Sequence, residues 1–242
     1  MSLLELEHLE LRHGLLEAVR DFSLSIAQGE TIALVGANGA GKTTLLRAIA
    51  GAHRPSSGTI TYDGAEITRV AAFRRVQMGI ALVPEGRRLF PGLTVEENLL
   101  VAAQPKRSGR WTVESVIEAF PMLARLRHQR ASTLSGGEQQ ATAIGRALIS
   151  NPRLLLLDEV SLGLAPLAVE SVYQCLEGLI GGGATIVLVE QDLGRALRVA
   201  SRVACMLEGR IVLEGAAREM TREQVTEAYF GLNRNARKQA AA

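Results

Sequence analysis

Two stretches near the N-terminus alternate between apolar and polar residues, as a strand with one buried face requires. They are Leu4-Glu5-Leu6-Glu7 and Phe22-Ser23-Leu24-Ser25-Ile26. Successive side chains of a strand point to opposite faces, so this period indicates two half-buried strands. We therefore predict an antiparallel sheet near the N-terminus. The glycine-bracketed segment Gly58 to Gly64 predicts a further strand.

Four continuous apolar runs have the length of fully buried strands. They lie at Thr31 to Val35, Met78 to Val83, Leu154 to Leu157 and Ile186 to Val189. The last two alternate with segments of helical spacing, Ala168 to Ile180 and Asp192 to Ala200, and this order is typical of parallel α/β layers. The segment Lys42 to Gly51 has the composition of a helix that ends at a glycine. Glu208-Gly209, between two apolar runs, indicates a hairpin.

The middle of the chain, from about Leu93 to Arg130, predicts a helical insertion. Helical spacing covers Val95 to Leu100 and Val113 to Leu126, with a polar loop from Pro105 to Arg110 between them. No apolar run approaches the roughly 20 residues that a bilayer-spanning helix needs. The acidic start, Met1 to Glu7, lacks the features of a secretory signal. We therefore expect a cytosolic chain that does not cross a membrane by itself.

Composition and charge exclude several classes of protein. With 242 residues, of which 47% are hydrophobic and 21% charged, the chain can bury a substantial core in one or two domains. The formal charge of +2 gives no strong field for nucleic acid. Cys175 and Cys205 lack CxxC spacing, so we interpret them as buried small apolar residues and expect neither a disulfide framework nor a zinc site.

A glycine-rich motif follows the first buried run and precedes the predicted helix. Its residues are Gly36, Ala37, Asn38, Gly39, Ala40, Gly41, Lys42 and Thr43, followed by Thr44. The pattern GxxxxGK[ST] between a strand and a helix indicates a phosphate-binding loop, because glycines let backbone N–H groups point at phosphate oxygens. We predict that Lys42 neutralises the β- and γ-phosphates of a bound nucleotide and that the Thr43 hydroxyl ligates Mg²⁺. The alternative is a glycine-rich turn with a surface lysine.

Two acids, Asp158 and Glu159, follow the apolar run Leu154 to Leu157. The carboxyl edge of a buried strand is where open α/β sheets bind nucleotides, so we predict Asp158 as a magnesium ligand. Glu159 is one residue further and is expected to point to the opposite side, where it can act as the general base toward a water aligned on the γ-phosphate. For two such acids taken alone, solvated strand ends are the alternative.

A third motif, Leu134-Ser135-Gly136-Gly137-Glu138-Gln139-Gln140, lies between the phosphate loop and Asp158. By itself, Ser-Gly-Gly is an ordinary turn and helix cap. The three motifs in this order resemble the ATPase subunits of ABC (ATP-binding cassette) transporters, and the resemblance covers nearly the whole chain. It implies that Ser135, Gly136 and Gly137 act in trans, on the γ-phosphate of ATP bound by the opposite subunit.

The resemblance also implies a fold class and domain limits. We expect an α/β chain with a P-loop NTPase core of mostly parallel sheet, an N-terminal antiparallel β-subdomain and a helical insertion. Residues 1–92 and 151–233 would form the core with the β-subdomain. About 93–150 would form the helical subdomain with the signature motif, and 234–242 a tail.

Five positions depart from the generic family pattern. Glu85 replaces a glutamine; it keeps an oxygen ligand for Mg²⁺ but adds charge. Gln191 replaces the switch histidine, so it would sense the γ-phosphate by hydrogen bonding alone. Val160 replaces a proline, and Ala165 replaces an aspartate that contacts the other subunit. His13 stands near the usual place of the aromatic residue that stacks on adenine, as either a stacked imidazole or an idle surface histidine.

Four segments narrow the resemblance to one subfamily: Val83 to Leu99, Ser135 to Gln140, Ala143 to Leu148 and Ser161 to Pro166. They are similar to the smaller ATPase of bacterial branched-chain amino acid importers, the LivF type, and the residues Glu85 and Gln191 fit that subfamily. This implies two membrane permeases, a second ABC ATPase or a second copy of the chain, and indirectly a secreted binding protein. It also implies a peripheral position on the cytoplasmic face of the inner membrane, with no nucleic acid bound.

Other functions remain open at this point. Importers of urea, amides or aromatic acids share much of the same pattern. A non-transport ABC ATPase is a second alternative, although such proteins usually fuse two cassettes or insert long coiled coils. A P-loop kinase or phosphotransferase is a third, but it would not need Ser135-Gly136-Gly137.

Overall fold

The structure, a computed structural model, describes residues 2–103 and 107–230. Within these residues the strands are β1 (Ser2–His13), β2 (Leu16–Ala27), β3 (Thr31–Val35), β4 (Ser57–Tyr62), β5 (Ala65–Glu66), β6 (Ile80–Val83), β7 (Leu154–Asp158), β8 (Thr185–Val189), β9 (Arg202–Leu207) and β10 (Arg210–Ala216). The α-helices are α1 (Lys42–Ile49), α2 (Ala72–Met78), α3 (Val95–Leu100), α4 (Val113–Ala119), α5 (Gly136–Ile149), α6 (Pro166–Gly181), α7 (Leu193–Val199) and α8 (Arg222–Phe230). Short 3₁₀ helices lie at Val101–Ala103, Pro121–Leu126, Ala131–Thr133 and Ala217–Glu219.

The chain divides into two compact units. The first consists of Met1–Val70 and Val187–Ala242, and the second of Ala71–Ile186. The domain limits at 93 and 150 stay a prediction. The predicted tail at 234–242 lies outside the described residues, as do the first two residues of the predicted loop at 105–110. None of the described helices is long and apolar enough to span a bilayer.

The N-terminal sheet of the first unit is antiparallel, with strand order β2-β1-β4-β5. Leu6 pairs with Leu24 on one side and with Ile60 on the other, and all three side chains are buried. Glu5 and Glu7, on either side of Leu6, are exposed. The alternation seen in the sequence therefore does place one face of β1 in the core, and the predicted antiparallel sheet is confirmed.

The first unit also contains a sheet built around β3. Val35 of β3 pairs in parallel with Cys205 of β9, and Glu190, directly after β8, donates its backbone N–H to the Leu34 carbonyl at 3.2 Å. β9 and β10 form the predicted hairpin through Glu208-Gly209, both with positive φ. A buried apolar cluster includes Ala33, Ala196, Val203, Val225 and Ala228, from β3, β9, α7 and α8. This core supports the carboxyl end of β3, where the phosphate loop begins.

The second unit combines a parallel strand pair with helices. Val83 of β6 pairs with Leu157 of β7 in a parallel ladder, as predicted for two buried strands. Helix α5 packs closely on α4 at Gly145, where an added Cβ would lie 2.6 Å from a Val116 methyl carbon. The helical segment predicted at Ala168 to Ile180 is α6, which begins at Pro166. Proline is favoured at this position because the first N–H groups of a helix have no partner within it.

Three details differ from the sequence predictions. The strand predicted at Met78 to Val83 begins only at Ile80, because Met78 ends helix α2, which we did not predict. Gly79 closes that helix with a φ of 102°, which favours glycine. The helix predicted at Val113 to Leu126 breaks before Pro121 and continues as a 3₁₀ helix, since proline cannot donate a helical hydrogen bond. Helix α8 is the third difference, since no pattern in the sequence predicted it.

The two cysteines are free. Cys205 is buried, as predicted, whereas Cys175 is only partly buried and its thiol donates to the Ala119 carbonyl at 3.0 Å. Burial raises the pKa of the Cys205 thiol to about 11, although the charge of Lys42 acts in the opposite direction. Burial also raises the pKa of Cys175. Both thiols are therefore protonated at neutral pH and poorly nucleophilic.

A candidate nucleotide-binding site

The phosphate loop connects β3 to α1, and its path requires glycine at two positions. Gly36 has a φ of 151° and Gly41 a φ of 99°. A Cβ on Gly36 would lie 2.2 Å from the Met206 carbonyl oxygen, and a Cβ on Gly41 would lie 2.3 Å from the Ala18 carbonyl oxygen. Backbone oxygens cannot move aside as a flexible side chain can. The loop is therefore fixed by close backbone packing that only glycine allows.

Lys42 lies at the start of α1 and is 4% exposed. Its Nζ donates to the carbonyl oxygens of Gly36 at 2.6 Å and Ala37 at 3.0 Å. Asn38 and Gly39, in contrast, are exposed in the loop. The ammonium group is thus held against the loop backbone, where a phosphate bound by the loop N–H groups would meet its charge.

His13 lies beside the first turn of α1. It is the last residue of β1, its side chain is exposed, and its Nε2 is 3.1 Å from the Thr44 hydroxyl. Thr43, the predicted magnesium ligand, is partly buried in the same turn. The structure therefore brings the predicted adenine-stacking residue together with the phosphate-loop helix. Its stacking role stays a prediction.

Gln191 follows β8 in the first unit, next to a buried carboxylate that we did not predict as part of the site. Glu190 is 2% exposed, and its Oε2 accepts hydrogen bonds from the backbone N–H groups of Gln191 at 2.7 Å and Asp192 at 3.1 Å. Asp192 then caps helix α7. Glu190 thus fixes the turn that carries Gln191. An acid directly after an apolar run is the sequence signal that could have identified it.

Asp158 and Glu159 lie at the carboxyl end of β7 in the second unit. Asp158 is the last residue of the strand and is 1% exposed, as a ligand held at a sheet edge would be. Glu159 is not in the strand: its φ is 49°, and its carbonyl accepts a hydrogen bond from the Leu162 N–H in a turn. Strand alternation, from which its direction was predicted, therefore does not extend to Glu159. Its backbone is left-handed instead.

Glu85 is exposed and begins a strained turn after β6. The next three residues, Gly86, Arg87 and Arg88, have φ values of 75°, 63° and 50°. Arg146 of α5 holds this turn, because its guanidinium donates to the carbonyl oxygens of Arg87 at 3.1 Å and Arg88 at 2.8 Å. Arg146 was not predicted as part of the site. An arginine inside a helical pattern gives no sequence signal of such a contact.

The Ser-Gly-Gly motif forms the first turn of α5. Ser135 is the N-cap: its hydroxyl accepts from the Glu138 N–H at 3.4 Å, and its own N–H donates to the Glu138 carboxylate at 2.8 Å. The backbone hydrogen bond from Ser135 holds the pKa of Glu138 below its usual range. Ser135 is exposed, Gly136 partly so, and Gly137 is buried. A Cβ on Gly137 would lie 2.6 Å from the Ala168 Cβ, so this turn also needs a small residue.

The residue types at the predicted positions fit ATP with Mg²⁺. The glycine loop admits close approach of phosphate, and the Thr43 hydroxyl and Asp158 carboxylate are the oxygen donors that Mg²⁺ prefers. Among the described residues, no group of three or more His, Cys, Asp or Glu side chains is arranged to hold a metal. Mg²⁺ does not need such a group, because proteins bind it through one or two carboxylates together with waters and substrate phosphates.

Known proteins are similar to this chain over most of its length. The family model described as ABC transporter matches residues 19–161. The high-affinity branched-chain amino acid transport ATP-binding protein BraG of Pseudomonas aeruginosa is 43% identical over 95% of this chain and 100% of its own length. A probable branched-chain amino acid transport ATP-binding protein, LivF of Archaeoglobus fulgidus, is 35% identical over 86% of this chain and 89% of its own.

Solved structures of ATP-binding cassettes are also similar to this chain. The ATP-binding subunit of an ABC transporter superposes with a TM-score of 0.82 at 26% identity, covering 95% of this chain and 100% of that one. The cassette MJ0796, solved as a dimer in a post-hydrolysis state with ADP and Pi, superposes with a TM-score of 0.78 at 26% identity. The match covers 90% of this chain and 100% of that one. The predicted fold class is confirmed by these neighbours. The chain therefore belongs to the ABC transporter family of ATP-binding cassettes and is an ATPase.

Proposed function

We propose that this chain is the LivF-type ATPase subunit of an importer for branched-chain amino acids. The similarity to BraG, which spans that protein's whole length, is the observation that carries the proposal. Glu85 and Gln191, which depart from the generic family pattern, fit this subfamily. The two residues lie on turns that are held by Arg146 and Glu190, so both positions are structurally defined.

In this proposal the first unit binds the nucleotide. The backbone N–H groups from Ala37 to Thr44 surround the phosphates, and Lys42 neutralises the β- and γ-phosphates. The buried position of the Lys42 ammonium supports this role, because an ion held in a poorly hydrated place interacts strongly with an anion. His13 stacks on adenine, and Gln191 contacts the γ-phosphate by hydrogen bonding.

Thr43 and Asp158 would hold Mg²⁺, with Glu85 as a further oxygen ligand. When bound, the ion neutralises charge on the phosphates during transfer to water. Glu159 orients a water and accepts its proton, as a carboxylate can when it lies in reach of the nucleophile. The left-handed backbone of Glu159 supports a functional position, since strain of this kind concentrates at active sites.

The signature turn would act on a second molecule. Ser135 is exposed at the start of α5, and the capping box holds it in one orientation. Its hydroxyl, with the Gly136 and Gly137 backbone, would contact the γ-phosphate bound by an opposing ATPase, either a partner cassette or a second copy. Because ATP would bind both halves of the closed dimer, it favours closure over the open state. Hydrolysis then allows reopening.

Closure would drive two membrane permeases between conformations, and a secreted binding protein would deliver the cargo. The chain would lie on the cytoplasmic face of the membrane. Reconstitution with a permease pair, a second cassette and a binding protein tests this: we expect ATP-dependent uptake of labelled leucine, isoleucine and valine. Uptake of urea or amides alone would assign a different cargo. Failure to associate with any permease pair, or to be stimulated by it, would contradict the importer function.

A further inference from the structure

The imidazole ring of His13 packs against a second imidazole, that of His53. The ring centroids are 4.7 Å apart, and the ring planes are inclined at 50°. The same His13 ring also lies 3.1 Å, through Nε2, from the Thr44 hydroxyl. His13 is exposed, whereas His53 is partly buried. The exposed ring is therefore supported by a hydroxyl and by a second, less accessible ring.

His53 is held at the end of the phosphate-loop helix. The N–H groups of Ala52 and His53 both donate to the Arg47 carbonyl, at 2.8 Å and 3.2 Å, directly after α1. Thr44 lies in the first turn of the same helix. Both supports of the His13 ring thus belong to one helix and the turn that follows it. That helix begins with Lys42, so the ring and the phosphate-binding ammonium share a common support.

The chemistry of His53 suits a fixed, neutral ring. Burial lowers the pKa of His53, and charge on His13 and on Arg47 acts in the same direction, while a hydrogen bond to the Arg12 backbone opposes it. The Nε2 atom is buried and has no hydrogen-bond partner within the described residues. An unpaired buried nitrogen has a cost. The ring therefore packs against His13 as a neutral imidazole.

We propose that His53 is a positioning residue for adenine recognition, which holds the His13 ring in the orientation that stacks on the base of ATP. The inference rests on the proposed function. Thr44 fixes one ring nitrogen of His13, and His53 limits rotation of the ring. A side chain ordered before binding loses less conformational freedom when the ligand arrives. Stacking has no effect on the phosphates, so the contribution of His53 is specific to nucleotides that carry a base.

The test compares ATP with inorganic tripolyphosphate, which has no base, by calorimetric titration of the full chain. Removing a stacking aromatic weakens base binding by roughly 5- to 150-fold, and we expect His53→Ala to weaken ATP binding by about 5-fold, at the lower end of that range. Tripolyphosphate affinity should not change. His53→Phe should restore most ATP affinity, because a ring again packs against His13. The KM for ATP should rise while kcat at saturation is preserved.

A double-mutant cycle separates positioning from independent effects. If His53 acts through His13, the variant combining His13→Ala with His53→Ala should bind ATP no more weakly than His13→Ala alone. Additive losses, or an equal loss for tripolyphosphate, would overturn the proposal, as would unchanged ATP affinity in His53→Ala. Arg54→Ala, at the exposed neighbouring position, serves as the control. Wild-type protein that binds neither ligand would instead contradict the proposed function itself.

Discussion

The two compact units present their predicted site residues in different ways. In the first, Lys42 is buried and bonded to backbone carbonyls, and backbone atoms leave no room for a Cβ at Gly36 or Gly41. In the second, Ser135 and Glu85 are exposed, and side chains such as Glu138 and Arg146 hold their turns. A buried backbone cradle suits binding of one ligand, whereas exposed groups can meet a second molecule. Nucleotide affinity should therefore depend on the first unit, and turnover on the second.

Glu159→Gln should change turnover most strongly while leaving nucleotide affinity unchanged. Loss of a general base typically lowers the rate by roughly 10²- to 10⁴-fold, and we expect a fall of that size in kcat with ATP affinity retained. Steady-state phosphate release and calorimetric binding measure the two quantities. Glu118→Gln, an exposed acid on α4, is the matched control. Unchanged turnover in Glu159→Gln would remove this residue from its proposed role.

Lys42→Ala should have the opposite effect to Glu159→Gln, because it should weaken ATP binding. Truncating one partner of a desolvated charge pair costs about 2–5 kcal/mol, or roughly 30- to 5000-fold in affinity. We expect the variant to fold, since Nζ is bonded to carbonyls of its own loop, but to lose stabilisation by ATP in thermal melts. Arg47→Ala, at an exposed position of the same helix, should keep that stabilisation. If Lys42→Ala were stabilised by ATP as well as wild type, the division of roles between the units would fail.

Much of the first unit could be predicted from sequence, because its elements follow local rules. The alternation around Leu6 specified the antiparallel sheet, and the glycine motif between a buried run and a helix specified the phosphate loop. Short helices without such periodicity, as at Ala72–Met78, were not predicted. Seven residues of mixed composition carry too little pattern for a helix to be recognised before its packing is known.

The contacts that hold the predicted residues could not be read from the sequence. Arg146 lies 58 residues from Arg88, whose carbonyl it holds, and nothing in the intervening pattern links them. The contact between His13 and His53 also joins two different segments of the chain. Glu159 was predicted for its chemistry, but its positive φ belongs to a turn that strand alternation does not predict. Side chains that act through tertiary contacts need the structure.

Ser135→Ala should have a smaller effect, on turnover and, through the lost helix cap, on stability. Loss of an N-cap hydroxyl costs about 1 kcal/mol of stability. If Ser135 also contacts a phosphate in trans, turnover of the assembled dimer should fall by roughly 10- to 150-fold, which corresponds to the loss of about 1.5–3 kcal/mol from one hydrogen bond to a charged group. Thr112→Ala is the matched control, because Thr112 forms the same kind of capping box at α4. Equal turnover in the two variants would mean that Ser135 only caps its helix.

The smallest predicted effect concerns the charge of Glu138, which holds the signature turn. Its pKa is lowered from the ordinary 4.5, chiefly by the hydrogen bond from the Ser135 backbone, so the folded state favours the ionised form. The stability that the ionised Glu138 carboxylate contributes is present above its pKa in the unfolded state. It is lost as pH falls through its pKa in the folded state. At neutral pH, the free energy of unfolding of the wild type should exceed that of Glu138→Gln by about 0.3–1 kcal/mol. Denaturant unfolding should show the difference closing below about pH 4.5. A difference that stayed constant with pH would show that the amide, and not the loss of charge, weakens the cap.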